Sequence, residues 1–221
     1  MNSDILLRFD GLAASYGRHA IFRSASLALG AGVYALQGPN GIGKSTLLRL
    51  LAGAQVADAG EVWIDGISLM QASEEAKQHL SYVPDESPIY PFMTGNELLQ
   101  FVASIKRAKI GGNVHALIGE FELSAHLDTR FDAISLGIQK KMMLCAAWIG
   151  APRVLLLDEP SNGLDQAART SLARLLGTSS QNGTVLFTAH DADFVATTEA
   201  SVIAMQDIFE PKEMNSPERG T

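Results

Sequence analysis

Residues 38–45, Gly38-Pro39-Asn40-Gly41-Ile42-Gly43-Lys44-Ser45, decide how the rest of the chain is read. The octet fits the spacing G-x-x-x-x-G-K-[ST], in which glycines let the backbone turn its N–H groups toward a phosphate chain. It follows an apolar, strand-like run at 33–37 and leads into a helical pattern over 45–52, with Gly53 placed to end that helix. A strand before and a helix after is the context such a loop requires, and the helix N-terminus adds a field that favours anions. Read this way, Lys44 reaches the β- and γ-phosphates of a nucleotide and the Ser45 hydroxyl holds Mg²⁺. Gly38, Pro39, Asn40, Gly41, Ile42, Gly43 and Thr46 complete the expected cradle. The bland reading, an ordinary glycine-rich turn, leaves the strand-loop-helix context unexplained.

A second stretch, VLLLDEP at 154–160, raises a question. Four apolar residues read as a strand buried on both faces, yet they end in two adjacent carboxylates. An ionised carboxylate is costly to bury without a partner, so a cation is expected at the end of this strand. The phosphate loop suggests one: Asp158 is expected beside the Mg²⁺, directly or through water. Glu159 is then free to orient and deprotonate a water for attack on the γ-phosphate. Adjacent strand residues point to opposite faces. Both can serve one site only if the chain leaves the strand here, and Pro160 agrees with that.

Composition narrows the classes. The chain has 221 residues, 47% hydrophobic and 19% charged, with a formal net charge of −7. That suits one sizeable core with room for an inserted subdomain. No run reaches the roughly 18 uninterrupted apolar residues that span a bilayer; the nearest, 142–152, is short and followed by Arg153. The opening MNSDILLRFDG has charges inside its apolar patch and no signal-peptide layout, so a cytoplasmic location is expected. The single cysteine, Cys145, excludes an intramolecular disulfide and a cysteine zinc cluster, and reads as a small buried hydrophobe. The negative balance argues against broad nucleic-acid binding, which needs a basic surface.

Strand-like runs recur at 33–37, 61–64, 80–83, 153–157, 184–188 and 201–205, with helical patterns between several of them. That alternation predicts an α/β fold with a mostly parallel core sheet. Strand patterns crowd the N-terminal part, which predicts a small antiparallel portion there. Thr94-Gly95-Asn96-Glu97 has capping-box spacing before the periodic apolar residues Leu98, Leu99, Phe101, Val102 and Ile105. Further helical patterns cover 114–117 and 140–149. Residues 86–148 therefore read as a helical subdomain inserted into an α/β core of 1–85 and 149–209, within a single domain spanning 1–221. Pro84, Pro88 and Pro91 make the start of the insertion irregular. Residues 210–221 have few anchors and are expected to be disordered.

Four further motifs complete the pattern. Ser161-Asn162-Gly163-Leu164-Asp165 follows Pro160, and Ile134-Ser135-Leu136-Gly137-Ile138-Gln139-Lys140-Lys141 lies upstream. Thr188-Ala189-His190 ends another apolar strand, and Tyr16 sits in GLAASYG before the first expected hairpin. In this order, and over nearly its whole length, the chain resembles the nucleotide-binding subunit of ABC transporters, which are P-loop NTPases. By that resemblance Tyr16 stacks on adenine, although an ordinary strand tyrosine also fits the place. His190 resembles the switch histidine that contacts the γ-phosphate. Asp165 resembles an aspartate that acts across a dimer interface, and it also fits as N-cap of a helix over 166–176.

Ser135 and Gly137 resemble the serine and second glycine of the LSGGQ signature, which closes on a nucleotide held by the opposite subunit. A plain helix start with Ser135 as N-cap fits as well. Leu136 replaces the first glycine and Ile138 the usual glutamine, while Gln139-Lys140-Lys141 follows the family's polar-basic continuation. Asp85 stands where the family often has a glutamine that links the metal site to the membrane subunit. A carboxylate there can hold Mg²⁺ or its water, and resembles export-type members more than importers. A turn aspartate between prolines fits equally.

The resemblance thus implies a subunit that binds ATP and Mg²⁺ and hydrolyses ATP, with Glu159, Lys44 and His190 catalytic. It implies a separate transmembrane permease subunit, contacted through 85–105, and a second cassette, identical or different. It also implies a place on the cytoplasmic face of the membrane, and export rather than import. Three other readings share some of these features: a soluble non-transport ABC-type ATPase, a small P-loop kinase with an acceptor, and a module that closes on ATP without hydrolysing it.

Overall fold

The run at 154–157 is buried along its whole length because both faces of its strand are covered. The computed structural model describes residues 5–17, 19–86 and 89–209. Its elements begin with strands β1 (Leu7–Tyr16), β2 (His19–Leu29) and β3 (Gly32–Gln37), followed by helix α1 (Lys44–Leu51). Next come β4 (Ala59–Ile64), β5 (Ile67–Ser68), α2 (Ser73–Gln78) and β6 (Leu80–Val83). Three helices follow, α3 (Gly95–Ile105), α4 (Gly112–Glu120) and α5 (Leu136–Ala147). The chain then alternates through β7 (Val154–Leu157), α6 (Gln166–Ser179), β8 (Thr184–Thr188), α7 (Ala192–Thr197) and β9 (Ser201–Ala204).

Two sheets form. One is antiparallel in the order β2-β1-β4-β5; the other is parallel in the order β6-β7-β8-β3-β9. Within β7 the side chains alternate between two cores. Val154 and Leu156 join Phe9 of β1 and Leu47 and Leu48 of α1 on one side. Leu155 and Leu157 join Leu144 of α5, Leu172 of α6 and Phe187 of β8 on the other. Period-two alternation with both faces covered accounts for four consecutive apolar residues. Each such side chain contributes about 1.5–3 kcal/mol by its burial.

The helical stretch begins as its spacing predicts. Thr94 Oγ1 accepts the Glu97 N–H at 3.2 Å and Glu97 Oε2 accepts the Thr94 N–H at 2.8 Å, closing a capping box. Leu98, Val114, Leu117, Phe121 and Met142 are buried in the same cluster as Leu155 and Phe187, so these helices share their core with one face of the parallel sheet. Several bounds differ from the sequence pattern. Helix α5 starts at Leu136 because Ser135 Oγ caps it through the Ile138 N–H. Helix α6 runs on to Ser179. The last strand stops at Ala204, where Met205–Ile208 turns into a 3-10 helix that buries Met205 completely. Pro88 and the expected disorder of 210–221 lie outside the described residues.

Candidate active site

The phosphate-loop residues join the end of β3 to the start of α1. Gly43 is the N-cap of α1 with φ 106°, and a Cβ there would lie 2.5 Å from Ile21 Cγ2, so only glycine fits. Among the described residues no side chain caps this helix, which leaves its first N–H groups available to an anion. Lys44 is buried and its ammonium donates to Gly38 O at 2.8 Å and Pro39 O at 3.3 Å. A phosphate oxygen is a stronger acceptor than either carbonyl, because the bond is then ionic on both sides.

The two carboxylates leave β7 together. Asp158 is 4% and Glu159 7% exposed. One hydroxyl, that of Thr188 at the end of β8, serves both: it donates to Asp158 Oδ1 at 2.7 Å and accepts the Glu159 N–H at 2.9 Å. Glu159 has φ 47°, a left-handed conformation that is strained for a side-chain-bearing residue. That reversal breaks the strand's alternation. Glu159 Oε2 accepts the His190 N–H at 3.2 Å, and Oε1 lies 3.3 Å from His190 Nε2. Burial raises the Glu159 pKa above the usual carboxylate range, and His190 partly opposes that.

Behind the end of β7 lies the ammonium of Lys140, which the sequence offers only as part of a polar-basic run and which meets the backbone carbonyl of Asp158 rather than either carboxylate. It is 5% exposed. Its ammonium donates to the backbone carbonyls of Pro84 at 3.1 Å, Asp85 at 3.2 Å and Asp158 at 3.3 Å, and lies 3.6 Å from Asp85 Oδ1. Burial lowers its pKa, while Asp85, Asp158 and Glu159 hold it up.

Two clefts meet at this point. One, of about 490 Å³, is lined by Tyr16, Asn40, Gly41, Gly43, Lys44, Ser45, Thr46, Asp85, Glu159 and His190, together with Ile21 and Asn162. The other, of about 630 Å³, is lined by Ser45, Asp85 and Asp158 together with Arg49 and Tyr82. Ser45, Asp85 and Asp158, the three expected metal ligands, therefore share one cleft. A hydroxyl and two carboxylates are hard oxygen donors of the kind Mg²⁺ takes alongside phosphate oxygens. Among the described residues no group of three or more His, Cys, Asp or Glu side chains is placed to hold a metal.

Gly38, Pro39 and Ile42 belong to the loop but not to the lining. Ser135, Gly137 and Asp165 line neither cleft. Ser135 caps α5, and Asp165 caps α6 through the Ala168 N–H while pairing with Lys141 at 2.7 Å. That hydrogen bond from Lys141 is the main reason the Asp165 pKa is lowered. A Cβ at Gly137 would stand 2.7 Å from Gly163 O, so glycine lets the start of α5 touch the 161–165 loop. Sequence reasoning did not single out Arg49, Asn162 or the Thr188 hydroxyl. Arg49 Nη2 donates to Tyr16 Oη at 3.1 Å, and Asn162 Nδ2 to Asp85 Oδ1 at 3.4 Å.

A glycine-rich loop between strand and helix, set against two carboxylates at the end of another strand of the same parallel sheet, defines a P-loop nucleotide-binding protein. The family model described as "ABC transporter" matches residues 22–162, and the chain belongs to that family, whose ATP-binding domains hydrolyse ATP. It is 28% identical to the linearmycin resistance ATP-binding protein LnrL of Bacillus subtilis, over 84% of this chain and 61% of that protein. It is 30% identical to the spermidine/putrescine import ATP-binding protein PotA of Chromobacterium violaceum, over 97% of this chain and 60% of that one. It is 31% identical to the Nod factor export ATP-binding protein I of Paraburkholderia xenovorans, over 83% and 62%. The chain thus spans only about 60% of the length of these curated relatives. A solved structure titled "Structure of ATP binding subunit of ABC transporter" shares the fold, with a TM-score of 0.81 at 24% identity, over 90% of this chain and 85% of that one.

Proposed function

We propose that this chain binds and hydrolyses ATP to drive transport through a separate membrane-spanning subunit. The observation that carries this reading is the meeting of the phosphate loop, Glu159 and His190 around one cleft, which adjoins a second cleft holding Ser45, Asp85 and Asp158. Tyr16 at the rim would stack on the adenine. The N–H groups of the loop and the Lys44 ammonium would bind the phosphates. Ser45 and Asp158, with Asp85, would hold Mg²⁺, which when bound supplies charge neutralisation for the phosphates. Glu159 would orient a water and accept its proton, a role its raised pKa suits. His190 would hold the Glu159 carboxylate in place through both of its contacts.

In this reading residues 86–148 act as the helical subdomain that presents Ser135 and Gly137 to the nucleotide of a second cassette. Neither residue lines one of this chain's own clefts, which supports that. Residues 85–105 would meet the membrane subunit, with the cassette on the cytoplasmic face. No helix among the described residues is long and apolar enough to cross a membrane. The names of the relatives divide between import and export, so they do not favour the export direction suggested by Asp85.

Light scattering on Glu159→Gln protein tests the pairing. An ATP-dependent shift from monomer to dimer in the presence of Mg²⁺ is expected. Protein that binds ATP yet never pairs would overturn pairing between identical cassettes. Lys44→Ala should lose nucleotide binding, and unchanged affinity would remove the phosphate-loop assignment.

A further inference from the structure

Lys140 lies on α5, one turn beyond the Ser135 cap, but its ammonium lies among elements that α5 does not contain. Two of its acceptors, the carbonyls of Pro84 and Asp85, belong to the segment leaving β6; the third, the carbonyl of Asp158, belongs to the segment leaving β7. These are the two segments that carry the Asp85 and Asp158 side chains into one cleft. Strands β6 and β7 are held in register by their ladder only up to Val83 and Leu157. Beyond the ladder, the Asp158 N–H still reaches Val83 O at 2.8 Å, but Pro84 has no N–H to offer. The Lys140 ammonium therefore replaces the next rungs. It is nine-tenths buried, so water does not compete for those carbonyls.

We propose that Lys140 is a positioning residue for the metal site: it sets the spacing of Asp85 and Asp158 and ties that spacing to the position of α5. The Lys140 side chain does not line either cleft, so it acts on the metal through the backbone of its ligands. Because α5 also carries Gly137 and is capped by Ser135, any movement of the helix start that shifts Lys140 changes the Asp85–Asp158 spacing. By reciprocity, metal binding biases where α5 sits. The inference rests on the Mg²⁺-nucleotide reading above and adds a residue and a direction of coupling to it.

The test compares ATP affinity with and without Mg²⁺, measured by fluorescence titration with a labelled ATP analogue on wild type, Lys140→Met and Lys140→Gln. Methionine keeps the length and apolar volume of the stem and removes the donor. Outer partners of metal ligands typically change metal affinity by about 10- to 100-fold when removed. Lys140→Met should therefore lose the Mg²⁺-dependent gain in affinity by about that factor, while its Mg²⁺-free affinity stays at the wild-type value. Lys140→Gln, which keeps a neutral donor and a polar end, should fall between the two. It carries the test if the methionine variant does not fold.

Equal losses with and without Mg²⁺ would mean a general structural role and overturn the inference. So would a folded variant whose Mg²⁺ gain is untouched. A wild-type protein that binds no nucleotide would instead overturn the proposed function, and the inference with it; the wild-type titration alone separates the two failures.

Discussion

Thr188→Val should weaken the protein far more than Thr188→Ser, although valine keeps the shape of the side chain and its preference for a strand. The Thr188 hydroxyl is fully buried and bridges the two carboxylate residues, at 2.7 Å to Asp158 Oδ1 and 2.9 Å from the Glu159 nitrogen. Valine leaves the Glu159 N–H without an acceptor, at a cost of about 1–3 kcal/mol. It also removes a charge-assisted bond to Asp158 worth about 1.5–3 kcal/mol. The two effects share one atom and are not fully additive, so a working total is about 3 kcal/mol. For a domain of this size that lowers the midpoint of thermal unfolding by roughly 6–12 °C. Serine keeps the hydroxyl and loses one methyl group, about 1 kcal/mol or roughly 2–4 °C. Calorimetry or circular dichroism on the three proteins reads the difference. A valine variant as stable as the serine variant would refute the bridging role.

Other outcomes follow from single sites. Ser161 Oγ is buried with no hydrogen-bond partner among the described residues, so Ser161→Ala should be neutral or stabilising by up to about 1 kcal/mol in urea unfolding. A clear loss would show that the hydroxyl is bonded. Burial pulls the Lys106 ammonium, held among the carbonyls of Lys77, Gln78 and Leu80, down from 10.5 to about 8. Between those values the unfolded chain holds the proton that the folded chain has released, so stability from this group grows as pH rises through the window and is lost as pH falls through about 8. The stability of wild type relative to Lys106→Met should therefore rise across that window; a flat difference would contradict it. Tyr16→Ala should weaken ATP binding by about 1–3 kcal/mol through lost stacking, while Tyr16→Phe keeps most of the affinity. Unchanged affinity in the alanine variant would remove Tyr16 from the site.

What could be read from the sequence is what depends on near neighbours. The phosphate loop, the Thr94 to Glu97 capping box and the strand runs at 80–83 and 184–188 are all set by spacing within a few residues, and the structure has them at those positions. Contacts across the fold leave no such mark. Lys140 meets Pro84, 56 positions away, and the Thr188 hydroxyl meets Asp158, 30 away. Nothing in the run Gln139-Lys140-Lys141 says that the first lysine is buried under two strand ends while the second pairs with Asp165. Burial cost alone points to a cation near the VLLLDEP carboxylates. That the Lys140 ammonium lies behind them, on the Asp158 carbonyl, was not legible, because that depends on how α5 crosses β6 and β7. The left-handed turn at Glu159 was half legible: both carboxylates had to leave the strand, but no glycine or asparagine signals the reversal.

In the proposed function Glu159 is the base for ATP hydrolysis in a site built by the phosphate loop. Phosphate release from Mg-ATP, measured for wild type and Glu159→Gln with nucleotide binding checked on the same samples, tests it most directly. Wild type should release phosphate, and the variant should bind without loss but turn over about 10²–10⁴-fold more slowly. Equal turnover in the two proteins, or wild type that binds Mg-ATP and releases no phosphate, would contradict it.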